Sequence, residues 1–142
     1  MLEAIRERRE QKGFTLVELI VVLVILAILA AMLVPTMTGY IDRANQDKLV
    51  AETRMIVMAA QTIASEQYGA GDAGEAINKT HTSSDGADSI YQEIKELAET
   101  KEDFQVTITD NQVDNVTYPE TGDVRCVYEG ATGEYTIKKE AP

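Results

Sequence analysis

The chain has 142 residues, with 24 acidic and 13 basic residues and a formal net charge of −11. That length accommodates one modest domain and an anchor, and it excludes two full hydrophobic cores. The acidic excess disfavours binding of nucleic acid by the isolated domain, because phosphates carry the same sign of charge. Cys126 is the single cysteine, so no disulfide forms within the chain, and we expect it to be a small buried apolar residue.

The apolar residues are concentrated between Phe14 and Val34, where only Thr15 and Glu18 interrupt the run. A helix over 14–34 would be about 30 Å long, which matches the hydrocarbon core of a bilayer. Basic residues precede the run and the next one is Arg43, so we expect a cytoplasmic N-terminus and an outward acidic domain. The basic residues before the run are Arg6, Arg8, Arg9 and Lys12.

Three ordinary interpretations of the apolar run compete with a specialised one. A core helix is disfavoured, because the rest of the chain could not cover a helix that is apolar on all sides. A conventional secretory signal would be cut near Ala30 or Ala31, but Ile28 or Leu29 then lies where a small residue is needed. A plain uncleaved anchor explains the length of the run but leaves its one carboxylate unexplained.

That carboxylate, on Glu18, argues for a cleaved precursor. A charge inside an apolar segment is costly unless it is paired, and by default it marks a functional residue. Cleavage after Gly13 would create a positive α-amine on Phe14. Glu18 lies one helical turn from that amine in its own chain and could also reach the amine of a neighbouring chain.

The stretch Lys-Gly-Phe-Thr-Leu-Val-Glu-Leu, residues 12–19, resembles the class III signal of type IV pilins and the related pseudopilins. The match covers the leader and the first helix, through Pro35 and the Gly39–Tyr40 pair. It implies that a prepilin peptidase cuts after Gly13 and that Phe14 is N-methylated.

The resemblance also implies how the subunit assembles. Glu18 would pair with the Phe14 amine of an adjacent subunit in a helical homopolymer, with or without minor pilins. The leader charges Arg6, Arg8, Arg9 and Lys12 would stay in the cytoplasm. Membrane lipid before assembly, the prepilin peptidase and the inner-membrane and cytoplasmic assembly machinery would be the other partners. Pro35 removes a backbone donor and Gly39 adds flexibility, which predicts a helix hinge that the resemblance favours.

The remainder predicts an α+β fold, in which one long N-terminal helix packs on a small antiparallel sheet of about four strands. Residues 1–13 form the leader, 14–35 the membrane and assembly helix, 36–68 its amphipathic continuation and 69–142 the globular region. In the continuation, the following apolar residues are expected to face the core: Leu49, Met55, Ile56, Met58, Ala59, Ala60 and Ile63.

The globular region begins with a polar loop to about Asp88, in which we expect His81 to be solvated. A second helix over 89–99 follows, with Asp88 as its N-cap. The residues of this helix that we expect to face the core are Ile90, Ile94, Leu97 and Ala98. Alternating apolar residues then predict four short strands, with turns at 110–111 and 130–133.

These patterns favour a structural subunit over an enzyme, since the sequence shows no nucleophile–base pair, metal spacing or phosphate-binding loop. We expect no cofactor and no metal site. An anchored binding domain would explain the span but not Gly13, Phe14 or Glu18.

The absence of a cysteine pair departs from the disulfide-closed loop of many Gram-negative pilins and favours a Gram-positive type IV pilin. A major pseudopilin of type II secretion and a competence pilus subunit remain alternatives.

Overall fold

The computed structural model describes residues 13–71, 77–86 and 88–140, apart from the side chain of Thr36. These residues form two compact units, one ending at Asp42 and the other beginning at Arg43. A single long helix, α1, comprises Leu16–Gly69. No cluster of helix-breaking residues occurs in residues 16–69, which accounts for the length of α1. Pro35 is the one proline inside this helix.

The first unit is an apolar helix that the described chain does not cover. Every large apolar side chain from Phe14 to Ile41 is exposed, from 49% at Val21 to 87% at Phe14. Exposed apolar surface is unfavourable in water by roughly 25 cal/mol per Å². This helix therefore requires an apolar environment, either lipid or other helices.

The second unit is a helix packed against an antiparallel sheet, which confirms the predicted α+β class. The sheet has five strands in the order β1-β2-β3-β4-β5. The strands are β1 Thr80–His81, β2 Gln105–Thr109, β3 Gln112–Tyr118, β4 Val124–Glu129 and β5 Glu134–Lys139. The sequence predicted about four strands and missed β1. That strand has two residues, too few to alternate visibly, and exists through pairing of Thr80 with Thr107 and His81 with Val106.

The core lies between α1 and one face of the sheet. Ile56, Ala60 and Ile63 of α1 are buried, and they meet the buried side chains of Val106 and Val116 in the same hydrophobic cluster. Cys126 is fully buried and unpaired, as expected. The alanine on α1 lets the helix approach the sheet closely, while the isoleucines supply most of the apolar surface.

Two methionines that we expected in the core lie outside it, so that prediction is wrong. Met55 is 44% exposed and Met58 is 57% exposed. The buried positions of α1 follow the spacing of Ile56, Ala60 and Ile63, and both methionines fall outside that stripe at 100° per residue. The seven-residue repeat of apolar residues in the sequence gives the centre of the buried stripe but not its width.

The turn between β2 and β3 fixes the sheet to α1. Asp110 and Asn111 both have positive φ, 50° and 60°, as the tight two-residue hairpin turn requires. Gln61 of α1 donates from Nε2 to the carbonyl oxygen of Asn111 at 3.2 Å and accepts at Oε1 from the N–H of Val113 at 3.2 Å. One amide side chain therefore joins the helix to both sides of the turn.

The second helix, α2, comprises Ser89–Leu97, shorter than predicted because Glu99 has a φ of 52° and cannot continue it. Asp88 is its N-cap, as predicted, accepting hydrogen bonds from the N–H groups of Ile90 and Tyr91. The predicted core face is wrong at Leu97, which is 53% exposed. Tyr91 is buried instead and stacks on Phe104, with ring centroids 4.6 Å apart.

His81, which we expected to be solvated, is fully buried, so that prediction is wrong. Its Nδ1 lies 2.5 Å from Oδ2 of Asp88 and its Nε2 lies 3.0 Å from the carbonyl oxygen of Ile77. Both ring nitrogens therefore lie within hydrogen-bond distance of an oxygen atom. The contacts are made by β1 and the N-cap of α2, which a polar sequence pattern cannot reveal.

Candidate processing and assembly site

Gly13 and Phe14 lie in a non-helical segment immediately before α1, and both are exposed. A Cβ built on Gly13 would meet no atom within 4 Å, and its φ is not in the left-handed region. Within the part of the chain that the structure describes, neither packing nor backbone strain requires glycine here. Glycine at this position therefore fits a requirement imposed by another molecule.

The first turn of α1 is closed by a reciprocal pair of hydrogen bonds between Thr15 and Glu18. The N–H of Glu18 donates to Oγ1 of Thr15 at 3.2 Å, and the N–H of Thr15 donates to Oε2 of Glu18 at 3.2 Å. This is a capping box, in which two otherwise unpaired backbone donors are satisfied at the helix start. The carboxylate is consequently directed back toward the end of the chain that cleavage would expose.

Thr15 is the site residue that the sequence reasoning missed. The signal was present, because a Thr followed three residues later by a Glu is the sequence pattern of a capping box. The structure brings Thr15 and Glu18 together. It also places Phe14 next to this pair along the chain, but among the described residues both bonds of the pair are made between Thr15 and Glu18 and none by Phe14.

The helix that follows has the composition of a membrane span. One helix among the described residues is long and apolar enough to cross a membrane, and its most apolar window has a mean hydropathy of 3.2 and is 0% buried. The core helix of a soluble protein would be mostly buried. The exposure of α1 before Asp42 thus distinguishes it from such a helix.

Pro35 and Gly39 lie inside α1. The missing N–H of Pro35 removes one helical hydrogen bond, while its own carbonyl oxygen accepts from Oγ1 of Thr38 at 3.1 Å. A Cβ at Gly39 would meet no atom within 4 Å. The hinge that we expect at these two residues stays a prediction.

The predicted leader charges, Arg6, Arg8, Arg9 and Lys12, lie outside the described residues. In the described ranges, no group of three or more His, Cys, Asp or Glu side chains is arranged to hold a metal ion. The candidate site therefore consists of a peptide bond, a capped helix start and an uncovered apolar helix.

Residues 8–34 match the family model described as the prokaryotic N-terminal methylation motif. This motif is the class III signal of type IV pilins and pseudopilins, and it confirms the resemblance on which the site residues were chosen. The motif supports a subunit of the type IV pilin or pseudopilin type. No solved structure matches the chain.

The motif implies processing by a prepilin peptidase and assembly into pilus-like polymers. Together with the apolar helix, it fits a membrane-anchored precursor. The matched region ends at residue 34, so it covers the cleavage site, the capping box and the apolar run but no part of the second unit.

Proposed function

We propose that this protein is the prepilin of a type IV pilus. It is a structural subunit and not an enzyme. The prepilin peptidase cuts it between Gly13 and Phe14, and its apolar helix then polymerises into an extracellular filament that serves adhesion, motility or biofilm formation. Glu18 neutralises the Phe14 amine of the next subunit, in a dry core where an unpaired charge would be strongly destabilising.

The observation that carries this proposal is the uncovered apolar helix directly behind the methylation motif. Its side chains are about half exposed or more along the whole run, so the helix is suited to leave lipid for equally apolar contacts with other helices. Only packing and polar pairing differ between these two environments. A carboxylate at the start of such a helix supplies the polar pairing that lipid cannot.

The second unit supports a role in water outside the cell. Thr107 and Thr117 alternate with buried residues along their strands and lie on the sheet face that does not pack against α1. Thr136 shares this face through Val127, which pairs with both Thr117 and Thr136 and is a buried apolar residue there. The exposed and half-buried threonines of this face, together with the acidic excess, keep a filament surface soluble and limit association of edges or faces.

The mature length suits a pilin and a pseudopilin alike, and the cysteine content supports the pilin. Cleavage after Gly13 leaves 142 − 13 = 129 residues, enough for a main pilin or a major pseudopilin. The single cysteine fits a pilin without the disulfide-closed loop of many Gram-negative pilins, hence a Gram-positive source. A major pseudopilin of type II secretion and a competence pilus subunit are the competing proposals.

The test is the mass of the N-terminal peptide of protein sheared from the cell surface. The proposal expects a chain that starts at Phe14, with or without one added methyl group, in filaments visible by electron microscopy. A chain that starts at Met1 or near Met32 contradicts it. A chain processed at Phe14 that stays in the cell envelope, and whose loss stops protein export or DNA uptake, identifies the corresponding competing function.

A further inference from the structure

Thr15 and Glu18 hold each other through two separate hydrogen bonds, both 3.2 Å long. One bond uses the hydroxyl oxygen of Thr15 and the backbone of Glu18, and the other uses the backbone of Thr15 and the carboxylate. The pairing defines where α1 begins, since Thr15 is non-helical and Leu16 is the first helical residue. It also selects the rotamer in which the Glu18 carboxylate points toward the N-terminus.

We infer that Thr15 is a positioning residue for filament assembly, which acts by holding the carboxylate of Glu18 ready to receive a subunit's free amine. This inference rests on the proposed function and deepens it. The bond from the Thr15 N–H is accepted by Oε2, which leaves the lone pairs of Oε1 out of this bond. A carboxylate can accept at both oxygens, so the capping bond leaves capacity for an ammonium group.

Preorganisation is the physical reason that the hydroxyl matters. A free glutamate side chain has several rotamers, and selecting one of them on binding reduces affinity. The Thr15 hydroxyl removes part of that loss, because it satisfies the Glu18 N–H and keeps the first turn from fraying. Without it, the helix start would loosen at the position where one subunit must recognise the next.

The test compares three replacements of Thr15 in the full-length chain in its own cells. Thr15→Val has the shape of threonine but cannot accept a hydrogen bond. Thr15→Ser and Thr15→Asn both cap helices well, although neither has the same shape. The two readouts are the fraction of chains cut after Gly13 and the amount of sheared filament per cut chain.

We expect Thr15→Val to be cut normally but to give about fivefold less filament per cut chain, the factor that matches the typical loss of an N-cap. Thr15→Ser and Thr15→Asn should retain most of the filament yield. Thr62→Val is the matched control: Thr62 is an exposed helical threonine whose Oγ1 donates to the Met58 carbonyl oxygen at 2.8 Å, and its replacement should change neither readout.

Each other outcome contradicts the inference. Thr15→Val filaments at the wild-type level show that the hydroxyl has no role in assembly. A yield that falls only in proportion to cleavage places the effect in processing. Loss in Thr15→Ser and Thr15→Asn equal to that in Thr15→Val shows that side-chain shape matters and capping does not. A wild-type chain that starts at Met1 overturns the proposed function itself, and the inference falls with it.

Discussion

The imidazole of His81 and the carboxylate of Asp88 form a buried pair, with Nδ1 and Oδ2 2.5 Å apart. The His81 side chain is fully buried and that of Asp88 is 5% exposed. Asp88 also caps α2 and accepts from Nζ of Lys79 at 3.3 Å. This one carboxylate therefore links the loop before β1, the strand itself and the helix that follows.

Replacing His81 with alanine should destabilise the second unit. The change leaves Asp88 without its closest partner and the Ile77 carbonyl oxygen without its donor, and uncompensated buried groups of this kind cost about 2–4 kcal/mol. The measurement is the free energy of unfolding by urea of the full-length chain in detergent, followed by the near-ultraviolet circular dichroism of its tyrosines. A loss below about 0.5 kcal/mol, the size of an ordinary surface effect, would contradict the buried geometry.

The same cluster should make stability fall in acid. Burial acts to raise the pKa of Asp88, but the hydrogen bonds from His81 and from the Tyr91 N–H, with the charge of His81, lower it below the usual 3.8. A lowered folded-state pKa stabilises the fold above the unfolded value, and this stabilisation is lost as pH falls through 3.8 toward the folded-state pKa.

Asp88→Asn tests that linkage, because asparagine still caps a helix but carries no charge. At neutral pH we expect it to lose about 1–3 kcal/mol relative to wild type, and the difference should shrink once the pH falls below 3.8. Asp103→Asn is the comparison: the hydrogen bond from Lys95 also lowers the pKa of Asp103, but Asp103 is 52% exposed, so solvent screens the pair and its difference from wild type should be smaller. A constant difference between wild type and Asp88→Asn at all pH values would contradict the argument.

The sequence predicted those parts of the fold that depend on local pattern. The capping carboxylate of Asp88 stands next to an amphipathic stretch, and Asp110 with Asn111 marks a tight turn, so both could be read directly. The burial of His81 could not, because it depends on pairing with β2 and on a helix cap seven residues away. Met55 lies beside the buried stripe but outside its width, and Met58 lies almost opposite Ile56 on the helix, so the seven-residue repeat placed neither correctly.

The residues of the candidate site were chosen from the sequence alone, and their roles stay predictions. Gly13, Phe14 and Glu18 stand out because glycine and glutamate are unusual before and within an apolar run. The role of Thr15 was missed although the spacing of a capping box is present in the sequence, because Thr15 was counted only as an interruption of the apolar run. The leader charges cannot be compared with the structure.

Two residues of α2, one buried and one exposed, offer a direct test of the corrected core. Ile94 is fully buried, whereas Leu97 is 53% exposed. Ile94→Ala should cost about 2–5 kcal/mol of unfolding free energy, and Leu97→Ala less than about 1 kcal/mol. The same urea experiment measures both variants. Equal losses of unfolding free energy in the two variants would support the core face predicted from the sequence and contradict the observed orientation of the helix.

Gly130 is required by a close approach of two backbones. A Cβ at this position would lie 2.3 Å from the carbonyl oxygen of Val113 and 3.1 Å from Cα of Asp114. Gly130→Ala should therefore move the end of β4 away from β3 and lower the unfolding free energy by about 1–3 kcal/mol. Gly69→Ala is the control: its Cβ would meet nothing within 4 Å, so stability should stay unchanged or rise by up to about 1 kcal/mol. An unchanged Gly130→Ala variant would contradict the approach.

Glu18→Ala separates cleavage from assembly. The scissile bond between Gly13 and Phe14 is unaltered, so we expect cleavage to be normal. Filament yield should fall severalfold because the amine of the neighbouring subunit loses its carboxylate in a medium of low dielectric constant. Mass analysis of the N-terminal peptide and quantification of sheared filaments give the two results. Normal filament yield would contradict the charge pairing.

Gly13 makes no contact that a side chain would disturb. A substitution at this position can therefore change cleavage without changing the fold. A bulky residue such as valine at this position should leave both units folded, while it places a side chain immediately before the bond that the peptidase is proposed to cut. Cells that carry such a variant would accumulate an intact, membrane-held subunit with an ordinary fold. That population would allow the uncleaved subunit to be studied in the bilayer, in its state before filament assembly.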